Sequence, residues 1–154
     1  ANPTERRADD GLAQVQVTAL KRLLKAWSPK RIVSSPWERC RATVAPYALA
    51  KGVEIEFSEH LTEAGNKKTP ASTLKVIHKL IQDGRSTIVC THRPALPTVL
   101  EELAKYHPLE KLELLEDAKG IKPGNFLVVH LTKPAPGRNR KIVAVETYAP
   151  EEKN

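Results

Sequence analysis

The sequence has no methionine and only two cysteines, Cys40 and Cys90, among its 154 residues. Two cysteines are too few for a disulfide framework and lack the paired spacing of metal ligands, which indicates a reducing, cytoplasmic setting. No apolar run approaches the roughly 18–20 residues of a membrane span, and the first residues do not resemble a signal peptide, so we expect no membrane association. Without a methionine, the chain is expected to begin after a processed initiator or inside a longer protein.

Several nucleotide and protease motifs are also missing. The sequence contains no GxxxxGK[ST], GxGxxG, HExxH or GxSxG pattern, which removes most nucleoside triphosphatase, dinucleotide and metalloprotease interpretations. The net charge is +7, which favours an anionic partner such as a nucleotide, a phosphate ester or nucleic acid. An apolar share of 40% and a length of 154 residues predict a single globular domain over 1–154.

Helical and extended patterns alternate along the chain. Helical spacing of apolar residues or helix-start signals predict helices from Gly11, from about Pro36 to Lys51, over about 71–82 and over about 95–106. Strands are predicted at 31–34, 53–57 and 87–91, the last of these a buried central strand, with a polar stretch over 58–70. Residues 125–131 and 141–146 predict an antiparallel hairpin. This order predicts a three-layer α/β fold, with a mainly parallel sheet covered by helices on both faces.

The junction at residues 33–39 predicts an anion site. Ser35 suits the N-cap, Pro36 the first helical position, and Glu38 would complete a capping box. The free N–H groups of a helix start attract anions, and Arg39 would reach the same anion with its guanidinium. The alternative is a surface arginine on an ordinary capped helix.

Two further side chains are candidates for the same edge of the sheet. His92 follows the strand at 87–91, and ligands of open α/β sheets bind at the carboxyl ends of the strands. Glu63 follows the strand at 53–57, and a carboxyl group there would protonate a leaving group if its pKa were raised. The alternatives are a loop histidine bound to backbone and a solvated glutamate.

The other histidines are weaker candidates. His60 lies near Glu63, whereas His78 and His107 are predicted to be structural or solvent-facing. His130, inside an apolar strand, is predicted to be a core or edge residue rather than a catalytic one. The basic turn at 133–140 leaves open a contact with nucleic acid, although the aromatic content of 5% does not support a stacking surface.

Four segments resemble the histidine phosphatase superfamily, which has the phosphoglycerate mutase-like fold. The segment 34–43, SSPWERCRAT, resembles its SSPxxRxxxT signature, and GLAQ at 11–14 resembles the GxxQ of the preceding helix. Residues 61–63 are similar to the acid-bearing loop, and IVCTH at 88–92 resembles the strand that ends in the second active-site histidine. The C-terminal pattern from KPGN at 122–125 to the hairpin looks most like MutT-type Nudix proteins with an appended histidine phosphatase domain.

The resemblance implies a phosphohydrolase that works through a phosphohistidine and needs no metal. It implies Glu63 and His92 as catalytic residues, with Ser35, Arg39, His92 and Arg93 binding the phosphoryl group. It also implies a small phosphate ester as substrate, such as a nucleoside diphosphate of an oxidised guanine. Mg²⁺ would be needed only by an attached Nudix domain.

The Arg-His-Gly or Arg-His-Ala motif that carries the nucleophile in this family is not found in the sequence. We therefore expect the first strand of the fold, with the nucleophilic histidine, to lie upstream in a longer protein. One alternative is a catalytically inactive domain that binds phosphate or a partner protein. Another is a basic nucleic-acid-binding module that uses the turn at 133–140. The identity of the nucleotide and the oligomeric state do not follow from the sequence.

Overall fold

The computed structural model describes residues 28–107, 115–116, 120–121 and 126–148. The helix predicted from Gly11 lies outside these residues. Within them, none of the helices combines the length and the apolar character needed to cross a membrane.

A parallel three-stranded sheet organises the first part of this structure. Its strands are β1 (Arg31–Ser34), β2 (Ile55–Phe57) and β3 (Thr87–Cys90), in the order β2-β1-β3. The register places Ser34 beside Phe57 on one side and beside Cys90 on the other. The carboxyl ends of all three strands therefore meet at one edge.

The central strand is β1, not the strand at 87–91. Residues 32–34 of β1 are buried, whereas every residue of β3 is partly exposed. Among the described strands β3 pairs only with β1 and so lies at the edge. The prediction of a buried central strand there was wrong, because an apolar run of this length shows that a strand packs on both faces but not that it has two neighbours.

Helices cover both faces of the sheet, as predicted. Helix α1 (Glu38–Lys51) packs through Val44 and Tyr47 against Ile32. Helices α3 (Pro70–Asp83) and α4 (Leu96–Leu103) enclose Val33 on the opposite face. Because neighbouring residues of a strand point to opposite faces, Ile32 and Val33 belong to two different apolar layers. The three-layer α/β class is confirmed.

Helix α1 begins later than the sequence predicts, and no capping box forms. Trp37, in an extended conformation, is the N-cap, and its side chain makes no capping hydrogen bond. The Ser35 Oγ instead accepts from the backbone N–H of Trp37 at 3.1 Å. Since Trp37 is extended, Pro36 is not the first helical residue and the helix starts at Glu38. The predicted end of the helix at Lys51 is confirmed, with Gly52 in the left-handed region at φ 67°.

The stretch at 58–70, predicted as polar loop, contains two short helices. A 3₁₀ helix spans Glu59–Leu61, and α2 spans Glu63–Lys68. The Thr62 hydroxyl caps α2 by accepting from the backbone N–H of Gly65 at 2.8 Å. Glu63 is therefore a first-turn helical residue, and its position in a loop was a wrong prediction. The apolar periodicity that marks longer helices is too short to detect in six residues.

Helix α4 is the middle of a longer helical segment. A 3₁₀ turn at Arg93–Ala95 precedes it, and a second one at Ala104–Tyr106 follows it. The predicted helix over about 95–106 is thus confirmed in extent.

The predicted C-terminal hairpin is confirmed as an antiparallel pair, β4 (Phe126–Leu131) and β5 (Ile142–Tyr148). Arg140 fixes the turn segment to the rest of the molecule, since Nε donates to the carbonyl of Thr132 and Nη1 to that of Ile81, at 2.8 and 2.9 Å. Ile142 is buried in the same apolar cluster as Val33. The hairpin therefore belongs to the same core as the parallel sheet.

Candidate active site

Ser35 and His92 meet at the carboxyl edge of the sheet. Because β1 and β3 are paired with Ser34 beside Cys90, the residues that follow each strand emerge side by side. The backbone N–H of Ser35 donates to the carbonyl of Cys90 at 2.9 Å. The Ser35 Oγ lies 2.8 Å from His92 Nε2, and Ser35 is fully buried. The hydroxyl thus holds the imidazole at a fixed position.

The two cysteines lie directly beneath this pair. Cys40 Sγ lies 3.8 Å from His92 Nε2 and 3.5 Å from the carbonyl oxygen of Thr91. Hydrogen bonding from Cys90 and then from His92 lowers the pKa of Cys40 to about 6. The Cys40 interaction and burial raise the pKa of Cys90 well above its ordinary value. Cys40 is therefore the thiol of the pair that ionises first.

A cavity of about 420 Å³ adjoins His92 and is lined by residues from three separate segments. These are Trp37, Glu63, Ala64, Asn66, Lys67 and Pro94. The ring centroids of Trp37 and His92 are 4.8 Å apart, with the planes inclined by 50°. The cavity is thus enclosed by the start of α1, by α2 and by the turn after β3. This is the position expected for a ligand site in an open α/β sheet, at the carboxyl ends of the strands.

The segment that carries Glu63 is fixed by a hydrogen bond from the neighbouring junction. The Thr91 hydroxyl donates to the carbonyl of Leu61 at 2.6 Å. Thr62 donates to the carbonyl of Glu59 at 2.8 Å while it caps α2. These bonds hold the first turn of α2 at the cavity.

The arginines predicted to bind a phosphoryl group lie on the exposed side. Arg39 is in the first turn of α1, two residues after Trp37, and Arg93 follows His92 at the start of the 3₁₀ turn. Both side chains are exposed. Ser35, predicted for the same role, uses its hydroxyl on His92 and on the N–H of Trp37.

The remaining histidines in the described segments make contacts elsewhere. His78 Nδ1 lies 2.7 Å from the Tyr106 hydroxyl and 3.4 Å from a carboxylate oxygen of the buried Glu102. His130 Nε2 lies 2.5 Å from a carboxylate oxygen of Glu146 on the opposite strand of the hairpin. Within residues 28–107, 115–116, 120–121 and 126–148, no group of three or more histidine, cysteine or acidic side chains is placed to hold a metal ion.

Sequence reasoning missed three residues at this site, namely Trp37, Asn66 and Cys40. Trp37 lies within the motif that contains Ser35 and Arg39, and this position in the sequence could have identified it as a residue of the site. Asn66 follows Glu63 by three residues, which would place it on the same helical face once the segment is known to be a helix. Nothing in the sequence indicated that Cys40 would contact His92.

One protein-family model matches part of the chain. The model of the histidine phosphatase superfamily (branch 1) matches residues 9–79, a range that includes Ser35, Arg39 and Glu63. Together with the three-layer fold, this match supports the histidine phosphatase superfamily. No curated protein sequence matches the chain.

Among solved structures, the chain is similar to the protein histidine phosphatase SixA complexed with tungstate. The TM-score is 0.53 and the sequence identity 18%, over 92% of this chain and 82% of that one. At this identity the similarity shows a shared fold. It is the phosphoglycerate mutase-like fold of the family whose motifs the segments at 34–43 and 88–92 resemble.

Proposed function

We propose that this chain is the phosphatase part of a histidine phosphatase that hydrolyses a small phosphate ester, a nucleoside diphosphate by preference. The observation that supports this most is the convergence of Trp37, Glu63 and the turn after His92 on one cavity. The family match over 9–79 supports the phosphatase type, and the net charge of +7 suits an anionic substrate. As predicted from the cysteine count, we propose a cytoplasmic setting.

In the proposed reaction, Arg39 and Arg93 hold the phosphoryl oxygens, and His92, fixed by Ser35, stabilises their charge. A nucleophilic histidine on an upstream segment forms the P–N bond while the P–O bond to the leaving group breaks. Glu63 gives its proton to the leaving oxygen. Water then attacks phosphorus, the P–N bond breaks, and the proton that water loses returns to Glu63. No metal or cofactor takes part.

Part of this proposal concerns the longer protein. The C-terminal resemblance to MutT-type proteins motivates a Nudix domain upstream, which would require Mg²⁺ and would supply the nucleoside diphosphate, with oxidised guanine nucleotides as expected substrates. The phosphatase proposal does not depend on that domain.

The proposal is tested by measuring phosphate release from guanosine diphosphate. Protein phosphorylation that is sensitive to acid and stable to base is measured in parallel, because it indicates phosphohistidine. Both measurements are run on this chain and on a form extended upstream to include an Arg-His segment. Turnover and phosphohistidine in the extended form support the proposal. Phosphate binding without turnover in either form would instead identify a catalytically inactive phosphate-binding domain.

Two controls test for a protein substrate and for nucleic-acid binding. A phosphohistidine-bearing protein, the substrate type in the name of the structural neighbour, is offered in parallel; its dephosphorylation without action on nucleotides would overturn the nucleotide assignment. For nucleic-acid binding, Arg140 is hydrogen-bonded to backbone carbonyls, whereas Lys133 and Arg138 of the basic turn are exposed. Steeply salt-dependent DNA binding that survives Arg39→Ala would favour a nucleic-acid-binding module.

A further inference from the structure

The outer edge of β3 is open to another strand. The backbone N–H of Ser35 donates to the carbonyl of Cys90 at 2.9 Å, so the backbone groups of Cys90 face β1. Since these groups alternate in direction along a strand, those of Thr87 and Val89 point away from β1. No other strand among the described residues pairs with β3 on that side. The N–H and C=O groups of Thr87 and Val89 are therefore placed to pair with a further strand.

β3 also lacks the features that protect a permanent edge of a sheet, which are a very short strand, charged side chains or proline. At the other edge, β2 has three residues, with the exposed Glu56 at its centre. β3 carries no charge, and its Val89 packs against the apolar cluster that contains Val33. Leu127 and Val129 of β4 pack against the same cluster, and like Val89 they are partly exposed. The core is thus incompletely covered beside β3.

The connections between the strands indicate how a preceding strand would enter the sheet. The chain passes from β1 to β2 through α1, on the face of Ile32. It then crosses from β2 to β3 through α3, on the face of Val33. Two connections that run in opposite directions on opposite faces have the same hand, and connections between parallel strands are right-handed. A strand beside β3 that precedes β1 would cross in the direction of α1, so its helix would lie on the face of Ile32.

The face of Ile32 is the less covered of the two. Among the described helices only α1 packs there, and Ile88 of β3 is partly exposed on it. A preceding strand at the open edge of β2 would instead need its helix on the face of Val33, which α3 and α4 already enclose. The sequence predicts a helix from Gly11, before β1, which is the connection that the first arrangement requires. The position beside β3 is therefore the one that suits a preceding strand.

We infer that the open edge of β3 docks one further strand, which precedes the helix predicted from Gly11 and pairs in parallel with β3. The inference rests on the proposed function, because this strand is the upstream segment that would carry the nucleophilic histidine. Since it would be covered on both faces, the strand should be apolar along its length. Parallel pairing places its carboxyl end beside His92, at the same edge of the sheet as Ser35. The inference thus adds the place at which the nucleophile enters the site.

The test is amide hydrogen exchange, measured by NMR on this chain and on a form extended by its natural upstream sequence. In this chain the amide of Val89 should exchange at least about tenfold faster than that of Ile88, which is bonded to β1. In the extended form the exchange of Val89 should slow by about tenfold or more. The amide of Phe57, which points away from β1 at the other edge, is the matched control and should stay fast in both forms.

A proline at the centre of the upstream strand removes one N–H of the pairing. In the extended form this change should restore fast exchange at Val89, while slow exchange at Ile88 shows that the sheet is folded. Slow exchange of Val89 already in this chain, or fast exchange in the extended form, would overturn the inference. An upstream sequence without an apolar extended segment would overturn it as well.

The same samples separate this inference from the proposed function. Protection of Val89 without phosphohistidine in the extended form would keep the docked strand and overturn the phosphatase. Phosphohistidine together with fast exchange of Val89 would keep the phosphatase and overturn the docking site.

Discussion

The Nε2 atom of His92 lies 2.8 Å from the hydroxyl oxygen of Ser35, although the two residues are 57 positions apart in the sequence. Both follow the ends of adjacent parallel strands, and the same hydroxyl accepts from the backbone N–H of Trp37. One buried serine therefore positions both the imidazole and the start of the next helix.

Ser35→Ala should destabilise the fold by about 1–3 kcal/mol, because it leaves the N–H of Trp37 and one side of His92 without their partner. Chemical denaturation measures the loss. Thr43→Ala, which removes an exposed hydroxyl bonded to the carbonyl of Arg39, should cost less than about 0.5 kcal/mol. In Ser35→Ala, the nitrogen NMR signals of His92 should also shift. Equal stability of the two variants would show that the contact between Ser35 and His92 does not contribute to the free energy of unfolding.

Arg39→Ala should abolish measurable phosphate binding and leave the fold intact, since an exposed side chain in the first turn of α1 packs little. A charge-assisted hydrogen bond is worth about 1.5–3 kcal/mol, or roughly 10- to 100-fold in affinity. Phosphate titration by calorimetry, with circular dichroism as the folding check, measures this.

Arg41→Ala is the matched control, because Arg41 is also exposed on the same helix and pairs with Glu38 at 3.6 Å. Its phosphate affinity should stay close to that of the unchanged chain. Retained phosphate affinity in Arg39→Ala would remove Arg39 from the site.

The Cys40 thiol should titrate near pH 6, which is visible in the ultraviolet absorbance of the thiolate. Its folded pKa lies below the ordinary value of 9.0, so its ionisation stabilises the fold fully above about pH 9. This contribution declines as the pH falls and is lost through about pH 6. The stability difference between the unchanged chain and Cys40→Ser should therefore grow from pH 6 towards pH 9.

Cys90→Ala is the informative companion variant. The hydrogen bond from Cys90 is the largest cause of the low pKa, so its removal should move the Cys40 midpoint upward. A midpoint that does not move would assign the effect to His92 instead.

Gly65→Ala should destabilise the segment that carries Glu63. A Cβ at Gly65 would collide with the backbone carbonyl of Glu59, which belongs to the preceding 3₁₀ helix and does not move easily. We expect a loss of about 1–3 kcal/mol, together with weaker binding of guanosine diphosphate.

Gly52→Ala separates stability from binding. Its Cβ would meet no neighbouring atom, but the backbone at φ 67° is left-handed, which costs about 1–2 kcal/mol for alanine. Both variants should unfold earlier, and only Gly65→Ala should change ligand affinity. A loss of affinity in Gly52→Ala as well would attribute the effect to general instability.

The elements with strong local signals could be predicted from sequence. The bounds of β1, the end of α1 at Gly52 and the hairpin follow from strand patterning and from a glycine with a positive φ. The start of α1 could not be predicted, because a serine hydroxyl that suits an N-cap was engaged by His92 from a distant segment. Tertiary contact decided between two local conformations there.

The site could be predicted in its location but not in its contacts. The order of strands and helices predicts that the site lies at the carboxyl edge of the sheet. Glu63 and the turn after His92 line one cavity at that edge. The contact between Cys40 and His92 depended on the register of β3 beside β1. Which strand lies at the centre also depended on pairing, which the apolar pattern of residues 87–91 does not encode.

The hydrogen bond from Thr91 to the carbonyl of Leu61 has a mechanical consequence. It joins the turn after β3 to the segment before α2, so these two walls of the cavity move together as one block. The remaining wall, the indole of Trp37, packs against His92 of the same turn, with ring centroids 4.8 Å apart. A displacement of the turn after β3 should accordingly be transmitted to both of the other walls.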